Sequence, residues 1–368
     1  MKGLIRRTWC LLAMTLLGIA AGCAVPRVQP EQVRSVLQEV AVSPRQWTGI
    51  AVSREGRIFV NYPLWSDGVS FAVGEVRRYG AVDPFPAGDW QLWRPGLNPQ
   101  EHFICVQSVV VDESDTLWVL DPANPRFQGT VPNGPKLVRF NLKTGAVLRV
   151  YPFDATVAPA DSYLNDVRFD LRRGYAYITD SGSGALVVLN LATGVTRRVL
   201  AGHPATKGEK IVLTIEGKEW RRPDGSAPQV HADGIALDRT GDYLYFQALT
   251  GRTLYRVETR WLRDSLLTAV ELEKKVEALG VTGSADGLEF GPDGKLYLTA
   301  LEENAIKRFD PATRTVATVV TDGRLSWPDS LAFGPDGSLY VTTSQIHRGV
   351  GRTEPYRIFR VMPEALGK

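Results

Sequence analysis

DGLEFGPDGKLYLTA, residues 286–300, begins with an acid and a short run of alternating apolar residues. A Pro-Asp-Gly turn follows, and then a second, aromatic-bearing run. Two such runs around a tight turn make a β-hairpin. The chain of 368 residues writes this phrase six times. The other copies are TGIAVSREGRIFVNY from Thr48, QSVVVDESDTLWVLD from Gln107, NDVRFDLRRGYAYITD from Asn165, DGIALDRTGDYLYFQ from Asp233 and DSLAFGPDGSLYVTT from Asp329.

Behind several copies stands a second pair of runs around a Thr-bearing turn. Examples are KLVRFNLKTGAVLRVYPF, ALVVLNLATGVTRRVL and AIKRFDPATRTVATVV. Four strands per unit, repeated at intervals of about 40–60 residues, describe an all-β, six-bladed β-propeller. The last unit stops at its third strand, YRIFRVM, so an edge would stay open. QVRSVLQEVAV, residues 32–42, is expected to supply the missing strand and latch the ring. Residues 258–280 carry apolar residues at helical spacing, with Asp264 and Gly280 as end signals, and predict a short helix between blades four and five.

The leader is a separate matter. Residues 1–22 have Lys2, Arg6 and Arg7, then an apolar run, then small residues, which reads as a secretory signal. AAGC, residues 20–23, resembles the bacterial lipobox, with Ala20 where that motif carries Leu. Cys23 is therefore expected to be lipidated, 23–31 to be a linker and 32–368 the propeller. This predicts an exported, membrane-anchored protein; cleavage nearby would release a secreted one. Cys105 is left alone, without an internal disulfide partner, and reads as core filler. A net charge of +3 over 368 residues leaves no electrostatic footprint for nucleic acid.

In a propeller the first strand of each blade lines the central channel. The residue opening each phrase should then stand in a ring at the channel mouth: Thr48, Gln107, Asn165, Asp233, Asp286 and Asp329. Residues ending the second strand share that rim, among them Asp180, Gln247, Glu302 and Gln345. Converging oxygens suit Ca²⁺ or another divalent cation, with Asn165, Asp233 and Asp286 as ligands. The same side chains can equally tie down neighbouring loops. Gln107, Asp180, Gln247, Glu302, Trp327, Asp329 and Gln345 are the candidate ligand-binding set. His231 and His347 are the candidates for moving protons. Motifs for nucleotide, zinc or serine chemistry do not occur.

From VQSVVVDESDTLWVLDPANPRFQGTVPNGPKLVRFNLKTGAVLRVYPFD through RIFVNYPLWSDG, YLNDVRFD, AYITDSGSGALVVLN and WPDSLAFGPDGSLYVTTSQIHR, the chain resembles the major royal jelly and yellow protein family, microbial branch. The resemblance implies an extracellular six-bladed propeller; some insect members bind biogenic amines in the channel. YLND, HADG and SADG are also similar to gluconolactonase-type propellers, which hold a divalent cation on the axis. That likeness implies metal ligation by Asn165, Asp233 and Asp286, but Thr48 stands where those proteins carry Glu. Three functions follow as alternatives: a small-molecule binder, a metal-dependent lactonase or esterase, and a protein-interaction platform.

Overall fold

The computed structural model describes residues 36–349 and 354–367. The leader, Cys23 and the linker 23–31 lie outside them. Six four-stranded antiparallel sheets follow one another as blades, spanning 50–84, 108–152, 164–199, 232–281, 285–321 and 328–361. Each blade opens with the strand nearest the channel: Ile50–Val52, Ser108–Val111, Leu164–Asp170, Ala232–Leu237, Ala285–Phe290 and Pro328–Phe333.

Burial explains the composition of the strands. Second strands such as Tyr243–Ala248 and Thr116–Asp121 are packed on both faces and buried almost throughout. Continuous apolar and aromatic runs suit that position. Outer strands such as Val147–Pro152 and Thr315–Thr321 are largely exposed and tolerate Thr and Arg. The core lies between blades. Trp118 of blade two stacks on Phe169 of blade three at 4.4 Å between centroids. Tyr245 and Leu254 of blade four share a cluster with Leu288 and Leu296 of blade five.

The ring is closed as its last blade requires. Leu37–Ser43 pairs antiparallel with Tyr356–Val361 and forms the outer strand of blade six. Residues 32–35 of the expected donor are outside the described region. The helical segment differs in detail from its expectation. It comprises two short helices, Thr259–Arg263 and Ala269–Glu273, inside blade four, and Glu277–Val281 is that blade's outer strand. Asp264 is extended and ends the first helix, while Thr268 and Glu271 form a capping box that starts the second. The apolar period therefore spans two helices and a strand.

Candidate functional site

The six opening residues do form one belt at the head of the inner strands, and all are buried. In blades three to six the ladder slips there, between Leu164 and Val167, Ala232 and Ile235, Ala285 and Leu288, and Pro328 and Leu331. These bulges free backbone amides from the ladder. Threonines near the end of the second strands accept them. Thr179 Oγ1 takes the Asp166 amide at 3.2 Å, Thr299 Oγ1 the Asp286 and Gly287 amides at 3.1 and 2.9 Å, and Thr342 Oγ1 the Ser330 amide at 3.1 Å. Neighbouring inner strands nearly touch at this level. A Cβ on Gly287 would come within 2.3 Å of the Asp329 carbonyl, so only glycine fits.

Each polar residue of the belt has a defined partner. Gln107 Nε2 donates to Asn165 Oδ1 at 3.1 Å, and Asn165 Nδ2 donates to Ser181 Oγ at 3.1 Å. Tyr163 donates to Gln107 Oε1 at 3.0 Å. Trp327 Nε1 donates to Asp286 Oδ2 at 2.7 Å. Burial, and then the Asp286 charge, hold Asp233 and Asp329 well above the ordinary carboxyl range. Burial also raises Asp286, to about 6. Removal from water penalises the ionised form, and like charges penalise it again. The three acids are thus a proton-retaining group.

A cap explains why they are buried. The connection from blade three to blade four carries a small hairpin, Thr214–Ile215 with Lys218–Glu219. Leu213 and Ile215 from it pack with Leu249, Leu301 and Trp327. Trp220 meets Trp327 edge to face at 4.8 Å, and His347 stacks on Trp327 at 5.7 Å. Glu216 pairs with Arg348 at 2.9 Å and lies 3.0 Å from His347 Nε2. Burial pushes Glu216 up, but Ser326, His347 and Arg348 outweigh it and bring it down to about 2. Trp327 is 0% exposed and sits at φ 55°, a left-handed conformation unusual for a bulky residue.

The remaining rim residues hold loops. Asp180 receives the Tyr163 and Gly182 amides and pairs with Arg198 at 2.7 Å. Gln247 Nε2 donates to the Gly251 and Gly283 carbonyls. Glu302 grips Arg252 with both oxygens and accepts the Thr214 amide of the cap. Gln345 Nε2 donates to the Pro355 carbonyl. His231 Nδ1 accepts the Gly208 amide at 3.0 Å, and burial followed by Lys207 lowers its pKa. Burial likewise lowers His347, against the pull of Glu216.

The channel has open volume at the opposite end. A cavity of about 470 Å³ runs from Gly49, Ser108, Asp166 and Ser330 down to the turns bearing Asp112, Arg172 and Asp238. None of the seven residues expected to bind a ligand lines it. Arg168 spans it near its inner end. This guanidinium bonds Asp166 Oδ2 at 3.1 Å, then crosses the channel from blade three to blade five. There it meets the Leu288 carbonyl at 2.7 Å and Glu289 Oε2 at 3.3 Å. Burial pushes the Glu289 carboxyl up, partly offset by Arg168. The signal was present in the repeats. Arg168 and Glu289 occupy the position that is Ala51, Val110, Ala236 or Ala332 in the other copies.

Of the expected metal set, Asp233 and Asp286 meet side chain to side chain, while other oxygens of the set accept from neighbours. Asn165 Oδ1 is taken by Gln107 and Asp286 Oδ2 by Trp327. Among the described residues no group of three or more His, Cys, Asp or Glu is arranged to hold a metal ion.

Comparison with known proteins supports the fold and names the family. A luciferin-regenerating enzyme aligns with a TM-score of 0.55 at 12% identity, over 89% of this chain and 94% of that one. A gluconolactonase from Xanthomonas campestris gives 0.54 at 13% identity, over 88% of each chain. A calcium-binding protein, regucalcin, from Agrobacterium tumefaciens gives 0.51 at 15% identity, over 88% of this chain and 93% of that one. Major royal jelly protein 5 of Apis mellifera is 24% identical over 223 residues, which are 58% of this chain but only 35% of that protein. The family model for major royal jelly proteins matches residues 104–362, most of the propeller. With its six closed blades and that match, the chain belongs to the major royal jelly protein family.

Proposed function

We propose that this protein is an exported, lipid-anchored binding propeller that takes a small polar molecule with a cationic group into the open end of its channel. The observation that carries this is the cavity of about 470 Å³ with Asp166 and Glu289 at its inner end. That volume lies within the range of small-molecule sites. Two carboxylates share one guanidinium there, and toward the turns the lining adds Asp112, Glu113, Asp170 and Asp238 against Arg172 and Arg239. An amine entering from the turns meets a net negative field, screened little inside the channel. Arg168 already holds both carboxylates in place, so little reorganisation is needed on binding.

Calorimetric titration with a panel of arylalkylamines, quaternary ammonium compounds and neutral isosteres tests the reading. Amines should bind and their neutral isosteres should not. Asp166→Asn and Glu289→Gln should each weaken binding at least tenfold. Binding of neutral compounds alone, or amine binding that ignores both variants, would overturn it.

The anchor is tested separately. The mature amino-terminal peptide should carry acyl chains on Cys23, and Cys23→Ala should abolish them.

A second reading, a divalent-metal-dependent lactonase or esterase, is favoured by one observation. Asp233, Asp286 and Asp329 are buried near one another with raised pKa values, and a cation such as Ca²⁺ would replace the retained protons. In the present arrangement the Asn165 and Asp286 oxygens are committed elsewhere, so no hydrolytic step is derived for His231 or His347. Metal content of the purified protein, with melting curves in chelator, decides this reading. A metal-free protein indifferent to chelator would remove it.

A further inference from the structure

We propose that the cleft between blades two and three is a second binding site, for a small organic carboxylate, built on Arg139 and Arg149. It lies on the flank of the ring, outward of the channel, and does not depend on the ligand proposed there.

One row of residues carries the inference. At the level of the Arg168–Glu289 brace, each blade places one residue from every strand side by side in register. In blade four the row runs Ala236, Tyr245, Arg256 and Glu277. Its two outer members have opposite charges and pair at 2.7 Å. In blade one it runs Ala51, Phe59, Glu75 and Asp83. Those like charges are bridged, because Arg77 reaches Glu75 at 2.8 Å and Asp83 at 2.9 Å. Blades three, five and six carry a single charge in the two outer places: Val188 with Arg197, Arg308 with Ala317, and Arg360 with Gln38.

Blade two departs from this pattern. Its row runs Val110, Trp118, Arg139 and Arg149. Like charges directly opposite on neighbouring strands repel and weaken the sheet. Asp112 pairs with Arg139 at 3.3 Å, but it also accepts from the Trp118 indole at 2.8 Å and the Thr116 hydroxyl at 2.7 Å. Among the described residues no carboxylate pairs with Arg149, which donates to the Leu191 and Ala192 carbonyls of blade three. Burial raises the Tyr151 hydroxyl, and both guanidiniums pull it back, so the two charges converge on one place. The bridge that Arg77 provides in blade one has no counterpart of opposite sign here.

The space over the pair suits an external one. A cleft of about 410 Å³ opens there, and Arg139 and Arg149 are the charged residues of its lining. Arg139 lies over the Trp118 ring at 5.0 Å and Arg149 over the Tyr151 ring at 4.6 Å. Held in this way, guanidinium forks match the two oxygens of a carboxylate at little ordering cost. Leu148, Leu171 and Leu191 complete the walls, so the anion they accept carries an apolar body.

Calorimetric titration of the purified protein with hexanoate, hexanamide and acetate is the test. Hexanoate should bind at least tenfold more tightly than its neutral amide and more tightly than acetate, which has no chain to bury. Arg149→Glu recreates the Arg256–Glu277 arrangement of blade four. Without ligand it should melt above the parent, and it should bind hexanoate at least tenfold more weakly. Arg149→Gln removes the charge without reversing it and should show the same loss of binding. Absence of hexanoate binding at millimolar concentration would overturn the inference. So would equal binding of hexanoate and hexanamide, or hexanoate binding that both variants retain.

Discussion

Arg168 Nη2 stands 3.3 Å from Glu289 Oε2, although the two residues belong to blades that are not neighbours. One guanidinium therefore braces the channel across its width and balances two carboxylates at once. Arg168→Met should leave Asp166 and Glu289 facing each other unpaired. Removing one partner of a buried ion pair costs about 3 kcal/mol or more. Urea unfolding should report a loss of that order, and adding Glu289→Gln should restore part of it. A variant as stable as the parent would show that the brace is decorative.

The acid group makes stability depend on pH in an unusual direction. Asp286 is raised from 3.8 to about 6 by burial. A carboxyl whose folded pKa exceeds its unfolded one favours the folded state while both are protonated. That contribution is lost as pH rises from near 4 through about 6. The difference for this one group is about 3 kcal/mol at neutral pH. Thermal unfolding should therefore show Asp286→Asn gaining relative to the parent at pH 7 and not at pH 4. Asp233→Asn should behave alike, because burial and its neighbours raise that group too.

Trp327→Phe keeps a ring to pack against Trp220 and His347 but removes the donor to Asp286. A buried acceptor left without its donor costs about 1–3 kcal/mol. The loss should be greatest above pH 6, where Asp286 ionises and most needs the indole N–H. Chemical denaturation at pH 5 and pH 7 measures both values.

Deleting residues 36–43 should expose the Tyr356–Val361 edge and open the ring. A broad, less cooperative melt with concentration-dependent aggregation is expected, against a single sharp transition for the parent. Supplying the strand as a synthetic peptide should recover part of the loss.

Cys105 should be silent in the folded protein. Burial raises its thiol to about 12, and Asp121 nearby adds to the rise. An aromatic disulfide reagent should find no reactive thiol at pH 8 until denaturant is added.

Much of this architecture was legible because a propeller repeats itself. Six hairpin phrases predicted six blades, and the missing strand of the last blade pointed to the chain's beginning. The belt of Thr48, Gln107, Asn165, Asp233, Asp286 and Asp329 followed from where the phrase starts. Which end of the channel is open did not follow, because that depends on a connection without repeat character. The hairpin Thr214–Ile215 and Lys218–Glu219 has only two residues per strand, too few for a periodic signal. Trp327 illustrates the consequence: beside Asp329 in sequence it suggested a wall for a ligand, yet Trp220, distant in sequence, covers it. The Arg168–Glu289 brace was visible only by comparing one position across all six copies. Gln247 shows a further limit. The ladder aligns it with Thr179 and Thr299, not with Asp180, because the copy in blade three is one residue longer.

The pairing of Leu37 with Val361 also sets the order of events when the chain is made. The first described strand has no partner until Tyr356–Val361 has been synthesised. Blades two to five can assemble from local hairpins as they emerge, but blade six waits for both ends. Contacts so distant in sequence slow folding, and an unpaired edge during the wait invites aggregation. The strand that makes the finished ring durable is thus the reason its biosynthesis should be slow to complete and dependent on protection until the last blade arrives.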